Sequence, residues 1–363
     1  MNNRRSGRAH RDNGTRVGRR EVLRLGLAGA GAAALPAGLG GCFLADDDQK
    51  TAPGRAAPIR FAFAPDAIWD FMTDRGMIDA WEKDTGLVVQ TSSTWDEFTF
   101  FAGGHGDIVS TATYELPLLE KQTGITTVTF GKYNLLRITP VTRADAPYRT
   151  LADIPKGAKI ALPSAVSSTL LWGMFAKELH GLDFRVGRGD FDLVVEDHFV
   201  MAEHVDRGEV EAALVIPEAA IGLLREGKLK VMYDNRLPYE IYGSICNCTH
   251  KGIMGNLFTA TRSWYDDHVD EATAFADLWQ RGIDLWRDNQ AAIIKNYPQH
   301  FSIEKEADVT AMQQYLAQHD WFVDTVRLDQ PWIEREMRLY DLMKRSGFMA
   351  GDAPVPRFEA TGS

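Results

Sequence analysis

Ser164, Ser167 and Ser168 stand in a turn between an apolar run, Lys159 to Leu162, and a helix-like run, Thr169 to His180. Unpaired backbone N–H groups and the helix dipole at such a junction favour an acceptor or anion, and the hydroxyls add donors. A single serine there also serves as an N-cap, so the cluster reads as a ligand cradle or as capping. Asp66, Glu115 and Glu218 each follow a strand-like run. A carboxylate in that place suits a ligand with an amine or amidine donor, or else is a solvated or salt-bridged loop charge. Trp69, Trp95, Tyr114 and Trp172 offer flat apolar faces that stack on a planar ligand or pack a core.

Two thiols and an imidazole in Cys246-Asn247-Cys248-Thr249-His250 are types that hold soft metals. The one-residue spacing is shorter than zinc sites use, no fourth ligand is evident, and a disulfide across it is strained. The pair is therefore expected to be two small buried side chains, with no metal bound. Gly-x-Ser-x-Gly, His-Glu-x-x-His and a Gly-Lys-Ser phosphate loop are absent. His198 and His204 do not share a helix face well and read as ordinary. A binding protein without catalytic residues or cofactor is the expectation.

The elements that must position these groups alternate. Strands are expected at Ile59–Phe63, 87–90, 106–110, 126–130 and 135–139, with one helix over Trp69 to Lys83 stopped by Gly86. A second series has strands at 159–162, 191–195, 211–216 and 230–233, and helices at 169–180, 200–207 and 219–226. This predicts α/β architecture with mostly parallel sheets. In open α/β sheets ligands sit beyond the carboxyl ends of the strands. Asp66, the run before Trp95, Ser110 and Thr111, Ser164 to Ser168, and Pro217 with Glu218 all occupy such ends. The last third is helical over 265–297, 311–322 and 332–343, and the end looks like a loose tail.

The chain has 363 residues, 45% hydrophobic and 25% charged, enough for two domains with real cores. Net charge is −10, but residues 1–41 carry eight Arg and two acids. The remainder is strongly acidic, which excludes nucleic acid as a partner. Arg19-Arg20 is followed by an uncharged stretch from Leu25 to Gly41, the layout of an export signal resembling the twin-arginine type. Leu39-Gly40-Gly41-Cys42 resembles a bacterial lipobox, in which Cys42 is lipidated and becomes the mature N-terminus. Several acyl chains hold a protein on a membrane far better than one. Residues 42–58 then read as a flexible tether.

Three segments together resemble the solute-binding proteins of bacterial nitrate, sulfonate, taurine and thiamine-precursor importers. They are Gly103-Gly104-His105-Gly106-Asp107-Ile108, Thr150-Leu151-Ala152-Asp153-Ile154-Pro155-Lys156-Gly157, and Val205-Asp206-Arg207-Gly208-Glu209-Val210-Glu211-Ala212. Glu211 stands where the family has Asp, and Ile216 where Trp commonly precedes Pro217. The resemblance implies an α/β, two-lobed type II periplasmic-binding-protein fold with C-terminal helices. Lobe one would take 59–139, lobe two 140–240, and 241–350 would return to lobe one, leaving 351–363 as the tail. It implies a monomeric, lipid-anchored receptor that captures a small organic solute, sulfonate- or taurine-like, and passes it to the permease of an ABC importer. Lys132 and Arg137 are then the nearest basic candidates for a sulfonate. Alternatives are a receptor for a pyrimidine-like thiamine precursor, an enzyme on the same fold of the pyrimidine-synthase kind, and a binding module feeding a membrane sensor.

Overall fold

The computed structural model describes residues 57–248 and 250–362, so the export signal, the lipobox with Cys42 and the start of the tether lie outside the described residues. Two sheets organise the chain. Lobe one holds β1 (Ile59–Phe63), β2 (Val89–Ser93), β3 (Ile108–Thr111), β4 (Thr127–Leu135), β10 (Met254–Thr261) and β11 (Arg357–Phe358) in the order β11-β4-β10-β3-β1-β2. Lobe two holds β5 (Thr139–Arg143), β6 (Lys159–Leu162), β7 (Asp192–Val195), β8 (Ala212–Val215) and β9 (Leu229–Val231) in the order β7-β6-β8-β5-β9. The chain crosses between them after β4 and again between β9 and β10. The two crossing segments touch: Leu136 donates its N–H to the Ile253 carbonyl at 2.9 Å.

The sheets are more mixed than the alternating pattern predicts. β1 runs parallel to β2 and β3, and β6 runs parallel to β7 and β8. The strands that receive the crossing chain, β5 and β10, run antiparallel to their neighbours on both sides. A chain arriving from the other lobe needs no crossover helix, so it enters in the opposite direction. β10 carries no clear alternation and was not legible in the sequence.

Other differences have local causes. The helix expected over Trp69 to Lys83 is two, Ala67–Asp74 and Met77–Thr85, because Gly76 takes φ +66° between them. That left-handed conformation suits glycine best. The strand expected at 126–130 runs on through Gly131 to Leu135 as β4, while the one expected at 135–139 is mostly the crossing segment, residues 136–138, between β4 and β5. A Cβ on Gly131 would lie 2.5 Å from the Phe258 ring, so this glycine marks close packing inside a strand. The end is no loose tail: β11 pairs with β4, and the Thr361 hydroxyl donates to the Phe130 carbonyl.

The helical last third divides between the lobes. The 28-residue helix Val269–Asn296 lays Phe275, Trp279 and Ile283 on the lobe-one sheet, among Phe61, Tyr133 and Phe258. Trp279 stacks 4.7 Å from Tyr133. The helix Arg338–Arg345 instead packs Leu339, Leu342 and Met343 with Trp172 and Phe175 of lobe two. Lys177 Nζ reaches the Ser346 carbonyl at 2.6 Å and fastens it there. The long helix thus packs on the lobe-one sheet, while this one packs with lobe two and also reaches lobe one, where the Tyr340 hydroxyl donates to the Thr113 carbonyl at 3.0 Å.

Candidate functional site

Between the sheets lies a cavity of about 430 Å³, within the range of small-molecule sites. Its lining comes from the carboxyl ends of strands in both lobes. Ala64 to Asp66 follow β1, Trp95 to Thr99 follow β2, and Ala112, Tyr114 and Glu115 follow β3. Lobe two adds Pro163, Ser164 and Val166 to Ser168 after β6, His198 after β7 and Ile216 after β8. Tyr133 and Asn134 at the end of β4, Leu136 to Ile138 in the first crossing segment, and Asn256 in β10 close the back.

Of the candidate residues read from the sequence, Asp66, Trp95, Ser110, Tyr114, Glu115, Ser164, Ser167 and Ser168 line this cavity. Asp66 caps the helix Ala67–Asp74, its Oδ1 accepting from the Ile68 and Trp69 N–H groups at 2.8 and 3.3 Å. Ser110 Oγ accepts from the Tyr133 hydroxyl and from Asn256 Nδ2, both at 2.8 Å. Ser164 holds the turn before the helix, its Oγ accepting from the N–H groups of Val166 and Ser167. Ser167 Oγ lies 2.9 Å from the Tyr114 hydroxyl, a hydrogen bond that spans the two lobes. Ser168 is buried and its hydroxyl has no partner. Trp95, 43% exposed, stands at the rim with its ring 4.7 Å from the His198 ring of the other lobe and 6.0 Å from Phe199.

The other candidates do not line it, apart from Arg137. Trp69 is buried and packs at 5.6 Å on Phe63 and 5.7 Å on Trp279, a core role. Thr111 points to the opposite sheet face from Ser110, as strand geometry requires, and bonds Thr259 Oγ1 at 3.0 Å. Pro217 opens the helix Pro217–Arg225, while its neighbour Ile216 meets the cavity. Glu218 lies behind the wall, where its Oε1 accepts from Arg137 Nε at 2.6 Å. Trp172 is also core, its Nε1 donating to the Ile138 carbonyl. Of the two basic candidates, Arg137 lines the cavity and Lys132 does not. Lys132 Nζ donates to the Arg327 carbonyl, and burial lowers its pKa to about 8.

Sequence reasoning missed Glu97, Tyr133, Asn134 and Asn256 and passed over His198. Glu97 follows Trp95 and Asp96 at a helix start, a position that could have drawn notice. The others sit in or beside strands with nothing to distinguish them. Electrostatics marks several. Burial raises the Glu97 carboxyl to about 8, and repulsion from Glu115 and Asp96 adds to this. Burial likewise raises Glu115 and Asp66; hydrogen bonds from Ser167 and Ala112 offset part of this at Glu115, and those from Ile68 and Trp69 at Asp66. Burial lowers the His198 imidazole to about 4, so it is neutral at pH 7.

The cysteine reading needs correction. Cys246 and Cys248 form a disulfide, with Cα atoms 5.2 Å apart. The helix Pro238–Cys246 ends at Asn247 with φ +48°, and this turn brings the two side chains together where an extended segment would not. His250 is held by Glu336 at 2.8 Å, away from the sulfurs' pairing. Among the described residues no group of three or more His, Cys, Asp or Glu converges on a metal position.

No protein-family model and no curated protein matches the chain. Solved structures do. A protein from Bordetella bronchiseptica superposes with TM-score 0.65 at 17% identity, covering 85% of this chain and 96% of that one. The alkanesulfonate-binding protein SsuA from Xanthomonas axonopodis pv. citri, bound to MOPS, gives 0.63 at 15%, covering 84% and 99%. The periplasmic aliphatic sulphonate binding protein SsuA from Escherichia coli gives 0.62 at 15%, covering 84% and 93%. The chain has the type II periplasmic-binding-protein fold.

Proposed function

We propose that this protein is the extracytoplasmic solute receptor of an ABC-type importer, tethered to the membrane by a lipid on Cys42. The observation that carries the reading is the cavity between two lobes, lined from both by residues at the carboxyl ends of strands. Such a site is completed only when the lobes approach, so a solute that touches both shifts the molecule toward the closed form. The similar solved structures supply the analogy, being binding proteins for sulfonates or components of import systems. The disulfide Cys246–Cys248 supports an oxidising compartment, as the export signal does. Among the described residues no helix is long and apolar enough to cross a membrane.

The solute is a small organic molecule. Two classes fit the reading: sulfonates such as taurine, and nitrogen-bearing heterocycles of the aminopyrimidine kind. Trp95 and Tyr114 offer faces for a ring, while the Ser167 to His180 helix start offers donors.

A thermal-shift screen of the purified chain tests it. A bound solute at 100 times its Kd adds about 2.7 kcal/mol, a shift of several degrees. Stabilisation by any small organic solute, lost on mutating cavity residues, is the expected result. Stabilisation by none across sulfonates, amino acids, amines and heterocycles counts against a receptor. Fractionation of cells expressing Cys42→Ala checks the anchor: the variant is expected in the soluble extracytoplasmic fraction.

A further inference from the structure

The cavity wall is unevenly charged. Asp66, Asp96, Glu97 and Glu115 all line it. Arg137, the arginine among the lining residues, is already answered by Glu218 at 2.6 Å. His198 is neutral at pH 7. Asn134, 2% exposed, presents a side-chain oxygen with no hydrogen-bond partner. A buried acceptor without a donor is costly, and a wall of acidic groups offers an anion no free counter-charge. A sulfonate placed there finds acids on the lobe-one side and an arginine already paired with Glu218. A cation bearing N–H groups meets charge-assisted acceptors instead.

We propose that the solute carries a protonated amine or amidinium group, seated on the carboxylates of Glu97 and Glu115 with the Asn134 side-chain oxygen as a further acceptor. This rests on the solute-receptor reading and narrows its ligand class. A bare sulfonate is excluded; taurine, which has an amine, is not. The lobe-two wall, with Ser167, the unpaired Ser168 hydroxyl and His198, then grips the uncharged or anionic remainder of the same molecule.

Binding is coupled to a proton. In the empty cavity Glu97 is protonated at pH 7, held so by burial and by Asp96 and Glu115. Asp66, Tyr114 and Tyr133 also surround it, and none supplies a positive charge. When a cation arrives, the Glu97 O–H bond breaks, its proton passes to the buffer and the carboxylate pairs with the solute. Uptake at pH 7 therefore releases about one proton per solute.

Calorimetric titration of the purified chain with three probes of one shape tests this: benzamidine, benzamide and benzenesulfonate. Benzamidine is expected to bind at least about tenfold more tightly than benzamide, and benzenesulfonate least. In phosphate and Tris buffers at pH 7, the benzamidine heats differ by about one proton's ionisation. Glu97→Gln abolishes that difference and weakens benzamidine at least about tenfold, while benzamide changes within a factor of about two. Glu115→Gln, checked for folding by circular dichroism beside it, gives the same loss of affinity. Tightest binding by benzenesulfonate, or benzamidine binding indifferent to both variants, overturns the cation assignment and leaves the receptor reading standing. Silence from all three, with a hit elsewhere in the solute screen lacking a basic nitrogen, has the same meaning. Silence from the probes and the whole screen overturns both.

Discussion

Lobe one faces the cavity with Asp66, Glu97, Glu115 and Asn134, whereas lobe two faces it with Ser164, Ser167, Ser168 and His198. The first set accepts hydrogen bonds and is acidic; the second is neutral and mostly hydroxyl. Their supports differ as well. The acidic wall stands on a six-stranded sheet backed by the 28-residue helix and an aromatic core of Phe61, Tyr133, Phe258 and Trp279. The hydroxyl wall stands on four- and five-residue strands carrying Ala161, Ala212 and Ala213, and on one helix start. Charged groups held away from water need fixed partners and fixed geometry. They sit on the lobe with the larger core, and the lobe with the smaller one offers groups that rotate to suit.

The sharpest way to break this comparison is to weaken the lobe-one support. Trp279→Ala leaves a large void between Phe63, Tyr133 and Phe258, and is expected to cost about 3–5 kcal/mol. Chemical denaturation measures it, and a loss below about 1 kcal/mol would mean the lobe-one core is not the stiff support described.

Releasing Arg137 comes next. Glu218→Gln removes the carboxylate that answers it, at a cost of roughly 1–3 kcal/mol in stability. Anions then gain affinity for the cavity and amines lose it, so the benzenesulfonate-to-benzamidine ratio should rise several-fold. An unchanged ratio would show that the Arg137–Glu218 pair does not set the cavity's charge preference.

The titration of Glu97 gives a smaller effect with a definite sign. Its folded pKa, about 8, lies above the ordinary carboxyl value of 4.5, so the folded protein holds more protons between those limits. Stability is full below about pH 4.5, falls as pH rises toward 8, and is flat beyond. Because cleft water screens a half-buried group, the slope is on the order of 1–2 kcal/mol in total. Glu97→Gln should flatten that part of the profile and be more stable than the parent at pH 8.5. Melting temperatures at pH 5.5, 7 and 8.5 decide it.

Smallest is the contact at the rim. Trp95→Ala removes the stacking of lobe one on His198 and Phe199 of lobe two, worth about 0.5–1.5 kcal/mol. Since that contact joins the lobes, the variant should bind solute two- to ten-fold more weakly through faster release. Stopped-flow fluorescence would reveal an unchanged release rate if the rim does not hold the lobes.

Much of this was legible in the residues. Strand-like runs at 59–63, 159–162 and 211–216 mark the sheets, because their apolar residues have few other places to go. Gly86 and Gly181 end helices as the left-handed C-cap. The rule that ligands sit beyond strand ends found Asp66, Ser110 and the Ser164 to Ser168 turn. It could not find Tyr133 and Asn134, because β4 reaches the cavity only where the chain leaves for lobe two. It could not sort Trp95 from Trp69 either, since both follow a strand and only packing tells a rim aromatic from a core one.

The sequence by itself determined the alternation of elements, the acidic body, the signal-like leader with its Cys42, and which serines would meet a helix start, since these depend on local propensity and on charge counted along the chain. Tertiary structure alone decided that β5 and β10 run against their neighbours, that Cys246 and Cys248 join, and that Arg137 spends its charge on Glu218 while Glu97 and Glu115 turn their carboxyl groups to the cavity. Each of those depends on which distant segments come within a few ångströms of one another, and pairing across 81 residues, as between Arg137 and Glu218, leaves no trace in local spacing.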